Sequence, residues 1–252
     1  MIPKTHILAL HGFTGSGLDF NPIIKNLNSN IHWITPNLPG HGPHPKISPN
    51  SPYSFNNTID DLYSLTRNYP QITLLGYSMG ARIALLYALK YISQISSLIL
   101  ISPNPGITDI NERKQRKQWD DSTADSILNQ PLEQFIHHWQ NNPLIETQKS
   151  IPKEISNSLL ENKRLSNPQG LSLSMRFLGT GSMPSQWDSL HQITCPTFLI
   201  TGEKDTRYEA IAHSMKEKIP HASNYSIPDA GHAPHLENLS HYTQLIELII
   251  DL

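Results

Sequence analysis

The chain is short of several things at once, and each shortage excludes something. A single cysteine, Cys195, stands among 252 residues, which rules out an internal disulfide and a cysteine-based zinc site and leaves packing as its expected role. No apolar run approaches the roughly twenty residues of a membrane span. The N-terminal run Thr5 to Leu10 is too short and too polar-flanked for a signal peptide, so a soluble, cytoplasmic protein is expected. Charge of one sign is also scarce: 19 basic residues face 21 acidic ones, a formal net charge of -2. Arg113 to Lys117 is the one basic block, so neither nucleic acid nor a membrane surface is indicated as a partner. Repeats and low-complexity tracts are absent. The length suits one large core or a core with an inserted segment, not two independent domains.

What is present is an alternation of short β-rich runs with helical ones. The runs fall at Thr5 to Leu10, Ile31 to Thr35, Ile72 to Leu75, Ser97 to Ile101, Thr197 to Thr201 and Ser223 to Ile227. Between them, Ile59, Leu62 and Leu65, and later Leu239, Tyr242, Leu245, Ile246 and Ile249, keep an apolar face at helical spacing. This pattern predicts an α/β fold with a mostly parallel, doubly wound sheet covered on both faces. The alternation stops between Pro103 and Pro196, where polar, helix-like sequence carries Trp119, Trp139 and Trp187. Residues 104–195 therefore read as an inserted helical lid over a core made of 1–103 and 196–252. Each tryptophan either faces a cleft or glues the lid to the core. The prolines between 36 and 52 read as a long irregular loop.

Gly76-Tyr77-Ser78-Met79-Gly80 sits between a β-rich run and a helical one, the layout of a nucleophile elbow. A serine used this way needs a base, and the base needs a carboxylate to hold its tautomer. His232, in Asp229-Ala230-Gly231-His232, and Asp205, in Gly202-Glu203-Lys204-Asp205, each follow a predicted strand end and come in the order serine, acid, histidine. His235 is a rival histidine, and Glu203 and Asp229 are fallback acids. The bland readings are a helix N-cap for Asp205 and a loop hydrogen bond for His232. An oxyanion hole would draw backbone N–H groups from Met79 and, in the loop His11 to Gly17, from Phe13. That loop lacks the Gly-Lys-Ser/Thr ending of a phosphate-binding loop. The pairs His41/His44 and His137/His138 lack the spacing and carboxylate support of a zinc site. Arg82, four residues after Ser78, lies one helical turn along the same face and suits a carboxylate.

Taken together, His11-Gly12-Phe13, Leu38-Pro39-Gly40-His41-Gly42, the elbow, Gly202 to Asp205 and Gly231-His232 resemble the α/β-hydrolase superfamily over essentially the whole chain. Leu10 to Ser16, Gly76 to Arg82, Trp139 to Leu144, Leu178 to Gly181 and His232 to Asn238 resemble, within it, the 2-succinyl-6-hydroxy-2,4-cyclohexadiene-1-carboxylate synthases of menaquinone biosynthesis. The resemblance implies a lyase that expels pyruvate, with Ser78, His232 and Asp205 removing a carbon-bound proton and no acyl-enzyme. It implies a small polycarboxylate substrate met by Tyr77, Arg82, Arg113, Gln118, Trp139, Arg176 and Arg207, with Arg116 and Arg164 as further candidates. No cofactor and no metal is implied. Ala81 replaces a common second glycine, Arg207-Tyr208 stands where Lys-Phe is frequent, and Trp119 to Thr123 match least well. A carboxylesterase or C–C hydrolase of the same fold, and a non-catalytic binding protein, are the competing readings. Oligomeric state is left open, with a monomer as the default.

Overall fold

The computed structural model describes residues 5–27, 30–43 and 53–250. Six strands, β1 (Thr5–Leu10), β2 (Ile31–Ile34), β3 (Ile72–Tyr77), β4 (Ile95–Ile101), β5 (Thr197–Gly202) and β6 (Ala222–Ile227), form one sheet in the order β2-β1-β3-β4-β5-β6. Every pairing is parallel. β3 runs two residues beyond its apolar core because Gly76 and Tyr77 continue to pair with Leu100 and Ile101.

Period-two alternation sorts the strand side chains into two layers. Leu8, Leu10, Leu74, Leu98, Leu100 and Leu199 face α2 (Phe55–Thr66), α3 (Met79–Lys90) and α8 (Thr206–Lys216). Ile7, Ala9, Leu75, Ile99, Ile101 and Ile200 face the other way, onto Phe20 and Ile23 around α1 (Asn21–Ile24) and onto α10 (Leu239–Ile250). In α10 the inward line is Tyr242, Ile246 and Ile249. In α2, Leu65 is exposed, contrary to its expected place on the apolar face, and Thr66 turns inward to share a hydrogen bond with the Tyr87 hydroxyl.

Between β4 and β5 the chain forms α4 (Ile110–Leu128), α5 (Leu132–Gln140), α6 (Lys153–Arg164) and α7 (Pro168–Leu178), with no strand among the described residues. Trp187 donates its indole N–H to Gly106 O within this segment and packs on the sheet layer, while Trp139 meets Phe13 of the loop after β1. Of the proline-rich loop, 36–43 is irregular, while 44–52, with His44, lie outside the described residues. α9 (Pro234–Glu237) closes the turn before α10.

The strand order places β1 next to the edge strand β2, with β3 on its other side. Successive connections therefore leave β1 and β3 in opposite directions, opening a crevice at their carboxyl ends. Both the loop after β1 and the elbow after β3 stand at that crevice.

Candidate active site

Ser78 joins β3 to α3 with φ 51° and ψ −105°. A non-glycine residue held there costs on the order of 1–3 kcal/mol, so the surrounding structure must impose it. Its N–H donates to Ile101 O of the neighbouring strand, and its carbonyl accepts from Arg82 N, starting the helix. A side chain at Gly80 would collide with Leu10 O, and one at Gly76 with Gly80 O. Both glycines are required by close approach of backbone, and neither has positive φ.

Three side chains meet beyond the strand ends. Ser78 Oγ lies 3.0 Å from His232 Nε2, and His232 Nδ1 lies 2.6 Å from Asp205 Oδ2. His232 and Asp205 are buried. Asp205 also caps α8, its Oδ1 accepting from Tyr208 N, so the helix-cap reading and the imidazole-orienting one are both true. The Tyr208 ring stands edge-on to the imidazole at 4.5 Å.

Two supports of His232 were not visible in the sequence. Ser102 Oγ donates to His232 O at 2.8 Å, and the Glu237 carboxylate accepts from Gly231 N and Ala233 N on either side of the histidine. The fallback acids do neither job: Glu203 accepts from Asp229 N, and both residues are exposed, away from the imidazole. His235 is buried against Tyr77, with its Nδ1 unpartnered among the described residues, and burial pushes its pKa down to about 3, helped by the neighbouring His232.

The loop after β1 is organised by His11. Leu38 N donates to His11 Nε2 at 3.0 Å, so Nδ1 carries the proton and donates to Gly12 O at 2.8 Å. Gly15 N donates to the same carbonyl. Because the peptide is planar and trans, pinning Gly12 O fixes the Phe13 N–H in the opposite direction. Phe13 and Met79 line one cavity together with Ser78, and neither amide has a hydrogen-bond partner among the described residues.

That cavity has a volume of about 480 Å³. Arg82 reaches it from α3, buried, with Nη2 donating to Leu178 O at 3.1 Å and Nε without a partner among the described residues. Burial draws its pKa down to about 10. Arg207, Tyr208, Trp119 and Trp139 also line it, as do Glu112, Gln115 and Arg116. Arg116 lies 4.7 Å from the Trp119 ring and donates to the buried carboxylate of Asp120.

Several of the expected residues do not line this cavity. On α4 the face toward the cavity is Glu112, Gln115, Arg116 and Trp119, at spacings of three and four, which leaves Arg113 and Gln118 off that face. Arg176 is taken up by Asp121 and Asp125 of α4, and Arg164 by Glu133 and Glu161. Tyr77 turns instead toward a second cavity of about 80 Å³, which also touches Ser78 and His232. Its ring packs on Gly12, and its hydroxyl accepts from Gln148. Among the described residues there is no group of three or more His, Cys, Asp or Glu side chains that could hold a metal ion, and no helix long and apolar enough to cross a membrane.

A family model described as alpha/beta hydrolase fold matches residues 5–239. The chain belongs to the α/β-hydrolase family. This α/β-hydrolase is 32% identical over 233 residues to a protein of Bacillus subtilis (strain 168) provisionally named 2-succinyl-6-hydroxy-2,4-cyclohexadiene-1-carboxylate synthase, covering 92% of this chain and 85% of the relative. It superposes on the structure of MenH from S. aureus with a TM-score of 0.93 at 32% identity, covering 99% of this chain and 94% of that one. A thermophilic esterase from Thermogutta terrifontis, at 24% identity and a TM-score of 0.81 over 98% of this chain and 89% of the other, shares the fold.

Proposed function

We propose that this α/β-hydrolase is a carbon–oxygen lyase of menaquinone biosynthesis, expelling pyruvate from 2-succinyl-5-enolpyruvoyl-6-hydroxy-3-cyclohexene-1-carboxylate. The observation that carries the reading is Arg82: a buried guanidinium, one turn behind Ser78, that lines the same cavity and whose Nε has no partner among the described residues. A buried cation is costly unless an anion joins it, and the substrate carries three carboxylates. Kinship with the synthases of B. subtilis and S. aureus supports the same assignment.

The chemistry follows from the substrate's bonds. Its C2 proton lies between the succinyl ketone and the C3–C4 double bond, so its removal spreads charge onto the ketone oxygen and across the ring. In this mechanism Ser78 gives its proton to His232 Nε2 and takes the C2 proton, with Asp205 stabilising the imidazolium. The amides of Phe13 and Met79 receive the oxyanion; one such donor is worth roughly 3–4 kcal/mol of barrier. Returning electrons shift the double bonds to the 2 and 4 positions and break the C5–O bond. The oxygen leaves as pyruvate enolate, which takes up the proton held by His232 to become pyruvate and restores the neutral imidazole. No bond forms between enzyme and substrate.

In this reading residues 104–195 act as a lid that closes the substrate in, since α4 and α5 supply Arg116, Trp119 and Trp139 to the cavity. The test is pyruvate release from the enolpyruvoyl substrate, followed by a coupled NADH-consuming reductase. Release no faster than the spontaneous rate, together with brisk turnover of p-nitrophenyl esters, would replace the lyase with an esterase.

A further inference from the structure

The small cavity that Ser78 and His232 share with Tyr77 backs onto another. Its volume of about 80 Å³ suits several waters or one three-carbon acid, not a substituted ring. Four of its wall residues, Ile145, Gln148, Leu159 and Lys163, also line a cavity of about 220 Å³ between α5, α6 and the segment Pro143–Ser150 that joins them. Ile145, Leu159 and Lys163 are buried at its floor, whereas His137, Asn141 and Lys149 are exposed at its rim. The outer cavity therefore opens to solvent, on a side of Ser78 that Arg82 does not border.

Because the same side chains line both cavities, the partition between them is one side chain thick. Gln148 is the member held least firmly: it is half-buried, and its amide donates to the Tyr77 hydroxyl over a long 3.3 Å. Turning it aside costs one weak hydrogen bond. Among the described residues no Asp or Glu lines the outer cavity, whose polar surface comes from groups such as Gln140, Asn141 and Ser156. Its two lysines are already matched, Lys163 by Asp19 in the small cavity and Lys149 by Glu146. Such a lining lets a small anion pass without trapping it.

We propose that the two cavities form a rear passage gated by Gln148, through which pyruvate leaves for solvent while the ring product still fills the 480 Å³ cavity. Release is then ordered, the small acid first and the ring second. That the cargo is pyruvate rests on the lyase reading; the passage itself does not.

The test blocks the partition reversibly. Cys195 is buried, so a thiol introduced by Gln148→Cys is labelled alone by benzyl methanethiosulfonate. The same protein is assayed uncapped, capped, and after dithiothreitol has removed the cap. Single-turnover stopped-flow formation of the ring diene reads the chemistry, and steady-state kcat reads release. The expected result is a kcat lowered about fivefold or more by the cap, a single-turnover rate within about twofold of the uncapped one, and recovery with dithiothreitol. Should Gln148→Cys fail to fold, Leu159→Cys takes its place. An unchanged kcat overturns the proposal, because pyruvate then leaves another way. So does an equal fall in both rates, which would place the cap's effect on the chemistry. An uncapped protein that turns over p-nitrophenyl acetate but releases no pyruvate would sink the lyase instead, and the same capping comparison with that ester then decides the passage for acetate.

Discussion

Asp205 uses its two carboxylate oxygens for two tasks: Oδ2 holds His232 Nδ1 at 2.6 Å, while Oδ1 caps helix α8 at Tyr208 N. The cap anchors the acid to the end of β5, and the acid anchors the imidazole that faces Ser78. Substitutions can separate the two. Asn keeps an acceptor oxygen for the cap but presents the imidazole with a neutral group, so Asp205→Asn should lower kcat about 10³–10⁴-fold with a small change in melting temperature. Asp205→Ala should lose a further ~1 kcal/mol of stability with the cap. Equal melting temperatures for the two variants would mean that the cap contributes nothing.

Arg82 carries a structural bond as well as the proposed carboxylate contact. Reading the sequence alone, Arg82→Ala would spare the fold. The hydrogen bond from Nη2 to Leu178 O changes that expectation, because truncation strands a buried carbonyl at the end of α7. The variant should therefore lose about 1–3 kcal/mol in urea unfolding as well as at least tenfold in kcat/KM. Full stability with lost activity would show that the Leu178 contact is dispensable.

Sequence pattern and structure part company where long-range contacts decide. All six strands and the elbow were legible because short β-rich runs and paired glycines are local signals, and the order of Ser78, Asp205 and His232 follows from strand ends. Which face of α4 meets the cavity was not legible: its apolar residues are too few to mark an inside, and the choice of Arg116 over Arg113 is made by Asp120 and Trp119. Arg176 looked available because its partners Asp121 and Asp125 are more than fifty positions away. Glu237 and Ser102 brace His232 through backbone atoms, which no residue pattern announces.

Ser78 stores strain that its hydroxyl justifies. At φ 51°, glycine would sit at no steric cost, whereas alanine would keep the strain and lose the chemistry. Ser78→Gly should therefore be more stable than Ser78→Ala by about 1 kcal/mol, both being inactive. Thermal melts of the two variants measure the difference directly. An alanine variant as stable as the glycine one would show that the elbow is relaxed.

His235 gives the fold an acid-sensitive point outside the Ser78–His232–Asp205 relay. Its ring is enclosed by Tyr77, Phe20 and Tyr242, and the unpartnered Nδ1 offers a proton nowhere to be solvated. Burial, with His232 beside it, lowers its pKa from an ordinary 6.5 to about 3. Above pH ~6.5 the residue is neutral in both folded and unfolded chains and exerts no pull. As pH falls below that value the unfolded chain binds a proton that the folded one refuses, so stability drops by up to about 1.4 kcal/mol per pH unit until the folded group titrates near pH 3. In His235→Phe, which keeps the packing and removes the titration, urea unfolding measured between pH 7.5 and 5 should show a shallower decline than in the wild type. The two curves should converge in slope above pH ~7, where the histidine no longer takes up a proton on unfolding. Parallel curves throughout would mean that the buried ring accepts its proton in place, and that the acid sensitivity of this fold lies elsewhere.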